Sequence, residues 1–176
     1  MSRNRFFVVA GIMAMAASLA WAGTKGSAAT NDQSNAGAAF DKLKTLAGQW
    51  EASSEKGKVT STLELISNGT VLLEKIRVPG EDEMATAYYV DNGRLVLTHY
   101  CTAGNQPHMR AEAFDQAVNV IRFDFAGASN LANPGDAHMH TAQIKFLGPD
   151  TFNADWTLYK DGKAAFTESM QFHRVR

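Results

Sequence analysis

Residues 83–101, EMATAYYVDNGRLVLTHYC, decide the fold. Two runs rich in Tyr, Val, Leu and Thr flank Asp91-Asn92-Gly93, and Asn-Gly between such runs is the short-range signal of a tight β-hairpin. In the second run Leu95, Leu97, His99 and Cys101 share one side of an extended chain, because successive strand side chains point to opposite faces.

The same pattern repeats outward in both directions. Glycines stand at 57, 69, 80, 93, 104, 127, 135, 148 and 162, mostly eleven to fourteen residues apart, with runs of Val, Ile, Thr, Tyr and Phe between them. Regular spacing of this kind predicts a meander. Strands are expected near 48–53, 59–67, 70–78, 83–90, 94–101, 108–114, 118–125, 138–147, 151–160 and 163–175. Asn68-Gly69 and Asp161-Gly162 supply two further hairpin signals. Asn68-Gly69-Thr70 also matches a glycosylation acceptor, although its place between two strand runs favours a turn. Ten consecutive antiparallel strands would leave two long edges unless the sheet closes. The predicted fold class is therefore all-β, a closed up-and-down antiparallel barrel of about ten strands with a short N-terminal helix. A flattened sandwich is the alternative with the same periodicity.

A chain of 176 residues, 45% hydrophobic and 20% charged, fits one globular domain. Seventeen basic and eighteen acidic residues leave a net charge of −1, which provides no field for nucleic acid. One cysteine, Cys101, excludes an internal disulfide, so packing must supply the stability.

The amino terminus reads as an address. Arg3 and Arg5 precede an apolar run from Phe6 to Ala20 and the small-x-small ending Ala20-Trp21-Ala22, which predicts a signal peptide over 1–22. The alternative, a membrane anchor, needs about twenty apolar residues where this run has about fifteen. Cleavage moves the charge from −1 to −3, because two arginines leave with the peptide. The expected location is periplasmic or secreted, with no membrane partner after cleavage. Residues 23–37, GTKGSAATNDQSNAG, have no large apolar side chain and predict a flexible leader. Residues 38–176 form the predicted barrel domain, opening with a helix over 38–47 whose Phe40, Leu43 and Leu46 share one face, as a plug or lid.

That helix and the following Leu46-Ala47-Gly48-Gln49-Trp50 resemble the opening of the calycins, the lipocalin and fatty-acid-binding group, whose first strand carries Gly-x-Trp at the barrel floor. The stretch 98–110, THYCTAGNQPHMR, is similar to exported lipocalin-like bacterial proteins, a family that lends no activity. The resemblance implies a barrel holding a small hydrophobic or amphipathic molecule, with Trp50 packed in the floor. A more distant likeness is to the nitrobindins, ten-stranded barrels that bind haem through a histidine near the carboxy terminus. His173 is near that place, but the alternation of the last strand puts Phe166, Glu168, Met170, Phe172 and Arg174 on one face and His173 on the other. In the fatty-acid-binding group an interior arginine near this end holds a carboxylate, which makes Arg174 a ligand anchor by resemblance; a strand-end residue reaching solvent is the alternative.

Other candidate residues come from polar groups on apolar faces. His99 interrupts Leu95, Leu97 and Cys101, and His138 and His140 share a face with Ala142, Ile144 and Phe146. Each such group needs a partner, a water or a ligand. Core hydrogen bonding for His99 and a solvated strand end for His138 and His140 are the plain alternatives. His138 and His140 also have spacing for zinc or copper if His99, His108 or Cys101 supplies a third ligand. Gly104-Asn105-Gln106-Pro107-His108 reads either as a recognition loop at the barrel mouth or as a wide turn held by its amides. The expected ligand-binding set is His99, Cys101, Asn105, His108, Arg110, His140 and Arg174, with no catalytic residue, cofactor or metal assigned. A histidine touching an anionic ligand would strengthen binding as pH falls through about 5 to 8.

Phosphate-loop, nucleophile-elbow, Cys-x-x-Cys and His-Glu-x-x-His motifs are missing. The reading is a binding protein rather than an enzyme. The alternatives are a cyclase or isomerase acting through His99 and the 105–110 loop, or a metal or haem carrier. Oligomeric state is not legible.

Overall fold

The structure, a computed structural model, describes residues 27–176 apart from Val118, with side chains described from Asn35 onward except at Glu112, Ala113 and Asp115. The expected signal peptide lies outside the described residues. Helix α1, Ser27–Lys44, precedes ten strands: β1 Gly48–Ser54, β2 Gly57–Ile66, β3 Val71–Arg77, β4 Met84–Asp91, β5 Arg94–Tyr100, β6 Gln106–Asp115, β7 Val120–Ser129, β8 His138–Gly148, β9 Thr151–Lys160 and β10 Lys163–Arg174. Every strand pairs antiparallel with its sequence neighbours, and β1 pairs with β10, so the barrel closes with no free edge. The sandwich alternative is excluded.

Turn chemistry sets the register. Asp91 pairs with Arg94 and Lys160 with Lys163, leaving Asn92-Gly93 and Asp161-Gly162 as two-residue loops. All four of those loop residues have positive φ, between 47° and 75°, as a primed turn requires. Asn68-Gly69 lies in a wider link, a single 3-10 turn over Ser67–Gly69.

The helix begins earlier than expected, at Ser27, inside the stretch read as a flexible leader. Ala36, Ala39, Phe40, Leu43 and Leu46 are buried in the same core as Trp50, Leu97, Phe123 and Phe172. Alanine, a strong helix former, carries the pattern upstream of Phe40 without any large apolar side chain. Two bonds fix where α1 lies. Leu46 O accepts the indole N–H of Trp50 on β1 at 2.7 Å, and Asn35 Oδ1 accepts the Phe114 backbone N–H on β6 at 2.9 Å. Since β1 and β6 stand on opposite walls, α1 crosses one end of the barrel and plugs it.

At that closed end Trp50 is fully buried, edge-on to Phe152 at 4.8 Å. The Arg174 guanidinium covers the same indole at 4.1 Å and donates to the carbonyls of Thr45, Ala47 and Pro149, with Asp150 as its ion partner. Gly48 permits this approach: its φ is +135°, and a Cβ there would stand 2.7 Å from Arg174 Nη1.

Candidate functional site

The opposite end carries the β1–β2, β3–β4, β5–β6, β7–β8 and β9–β10 links. Inward positions near it lose their burial. Ile76 on β3, Met84 on β4 and Leu158 on β9 are half-buried, and Phe166 on β10 is 52% exposed. Ile76 pairs with Met84 and Leu158 with Phe166, which places two partly exposed apolar pairs on different walls near that end.

One inward step deeper, the wall of β2 to β5 is polar. Glu74, Thr86 and His99 are direct neighbours across β3, β4 and β5, with Ser61 and Tyr88 beside them. All five are buried. Glu74 Oε1 accepts from the Ser61 hydroxyl at 2.7 Å, and Oε2 from the Tyr88 hydroxyl at 2.9 Å. Burial pushes the Glu74 carboxyl above its ordinary value against the pull of those two donors, and burial also drives the Tyr88 phenol well upward.

His99 is 4% exposed. Its Nδ1 lies 2.9 Å from Thr86 Oγ1, and its ring meets Trp156 of β9 at 4.8 Å, a contact that spans the lumen. Its Nε2 is buried with no hydrogen-bond partner among the described residues. Burial lowers its pKa to about 4. His99 therefore stays neutral over the pH range in which it was expected to strengthen anion binding.

The rim holds three more of the expected residues. Cys101 opens the β5–β6 loop as a free, half-buried thiol. Asn105 is buried there, donating to Ala137 O at 2.9 Å, while its Oδ1 has no partner among the described residues. Gln106 donates to Gly104 O and accepts from Asn130, so the segment is both a locally braced turn and a tie to the 130–137 loop. His140 stacks between Phe125 at 4.7 Å and Tyr159 at 3.9 Å.

The alternation assumed for β8 fails at a bulge between Met139 and Thr141. Met139, not His140, packs against the core. His138 Nδ1–H donates to Asp136 O at 2.8 Å, which leaves its Nε2 to accept from His140 Nδ1–H at 3.0 Å. Burial chiefly, with the neighbouring His138, lowers the His140 pKa. The pair engages itself, and among the described residues no group of three or more His, Cys, Asp or Glu stands where it could hold a metal ion.

His108 and Arg110 do not ring the mouth. They flank the fully buried Met109 and so face outward, where His108 bridges Thr98 and Ser129 at 3.1 Å each. Arg174 lies at the plugged end, away from His99. His173 is exposed on the outer face, as its alternation requires. Glu74, Thr86, Tyr88 and Trp156 were missed by sequence reasoning, although Glu74 between Leu72 and Ile76 breaks an apolar face just as His99 does.

The architecture is consistent with a calycin-like fold, a ten-stranded antiparallel barrel plugged at one end. No protein-family model and no curated protein matches the chain.

Proposed function

We propose that the protein is an exported, lipocalin-like carrier of a small, mostly apolar molecule, which enters the open end and brings a hydrogen-bonding group to His99. The observation that carries this reading is the buried, unpartnered His99 Nε2 one inward step below the apolar pairs of the open end. A buried polar atom left unpaired costs on the order of 1 to 3 kcal/mol, which a ligand group returns. Of the residues expected from the sequence, His99, Cys101, Asn105 and His140 belong to the open half and remain in the proposed site. The signal over 1–22 would deliver the chain to the periplasm or beyond.

A native mass spectrum of the protein purified from its own periplasm tests both parts. It should give a chain starting at Gly23 carrying a small organic adduct that dissociates on denaturation. A chain retaining Met1 in a membrane fraction would end the export reading, and a metal-mass adduct or a Soret band would end the carrier reading. An acid–base enzyme is the second reading, favoured by two buried titratable side chains, Glu74 and His99, standing on either side of Thr86 in one polar row.

A further inference from the structure

We infer that the barrel selects an uncharged ligand bearing a hydroxyl or carbonyl group, and rejects carboxylates and amines of the same chain length. This inference rests on the carrier reading above and concerns its chemical class.

The cations of the open end stay at its rim, where Lys160 and Lys163 pair across the exposed β9–β10 turn, and none reaches the depth of His99. No Lys or Arg is buried among the described residues. Lys56 at the rim is engaged by Glu81, and Arg174 is committed to the plugged end. Glu168, on an inward position of β10, would oppose an anion, while Glu74 stands across Thr86 from His99, roughly 10 Å away by strand spacing, and supplies no cation. A carboxylate head group at His99 would thus be taken out of water with no cation to meet it.

An ammonium group fares little better. Both oxygens of Glu74 already accept hydroxyl protons from Ser61 and Tyr88, and the residue is only 8% exposed, so it presents little surface to an entering cation. The atom that lacks a partner is His99 Nε2. Thr86 Oγ1 can donate to Nδ1 or accept from it, so Nε2 offers either an N–H or a lone pair. A ligand hydroxyl satisfies both forms, and a carbonyl satisfies the first. Ile76, Met84, Leu158 and Phe166 then cover the apolar remainder.

The test uses Nile red, an uncharged dye, as reporter, and decanol, decanoate and decylammonium as competitors at about pH 8, where both ionisable head groups are charged. Decanol should displace the dye at a concentration about tenfold or more below either ion, and His99→Phe, which keeps a ring against Trp156, should erase that advantage. Decanoate competing as well as decanol would overturn the inference by revealing an unseen cation partner. Decylammonium competing best would overturn it in favour of Glu74 as counter-ion. Binding of Nile red without displacement by decanol would overturn hydroxyl recognition while leaving the carrier reading standing. Failure of Nile red to bind the folded protein at all would remove the carrier reading, and this inference with it.

Discussion

His99 ties stability to pH as well as to binding. Its pKa is lowered from 6.5 to about 4 by burial, so between those values the unfolded chain takes up a proton that the folded chain does not. Stability is therefore intact above about pH 6.5 and falls by up to about 3 kcal/mol as pH drops toward 4. His140, also lowered, acts with the same sign, whereas Glu74, raised by burial, loses stability as pH rises from 4.5 through its folded value. Urea unfolding across this range should show a markedly flatter acid limb in His99→Phe. An unchanged limb would mean that His99 is not buried as a neutral ring. At this scale the sequence was half legible. Period-two alternation exposes a polar residue on an apolar face, and it located His99; applied to Leu72, Glu74 and Ile76 it locates Glu74 as well. Trp156 could not be paired with His99 that way, because the contact crosses from β5 to β9 and no local pattern encodes which walls face one another.

Among the elements, the ten strands were legible because turn glycines and alternating runs carry both their length and their register. The β8 bulge was not. One extra residue at His140 leaves the hydrophobic alternation of Ala142, Ile144 and Phe146 unchanged and shifts only the residues between the bulge and the rim. The helix start was hidden for a different reason: Ala36 and Ala39 bury well, yet alanine gives no apolar stripe in a leader otherwise made of polar residues. Where α1 leads into β1, Trp50 of β1 meets Leu46 just after the helix, Phe152 of β9 and Arg174 of β10. Trp50→Ala should cost about 3 to 5 kcal/mol in equilibrium unfolding, since a large cavity opens beneath a plug that cannot collapse into it. A cost below about 1 kcal/mol would argue against this closure.

Over the whole molecule, the two ends of the barrel differ in kind. One is sealed by α1, Trp50 and Arg174, with the Trp50 indole and the Arg174 guanidinium both engaged by the chain itself. The other is walled by half-exposed apolar side chains above a buried polar row in which one nitrogen is left over. That asymmetry is the central claim, and ring-nitrogen NMR of the histidines tests it most directly. On titration with decanol, the account predicts that the Nε2 signal of His99 shifts and saturates at one ligand per chain, while His108 and His173 on the outer wall stay unmoved. Saturable binding with a stationary His99 signal, or shifts confined to His108 or His173, would contradict it.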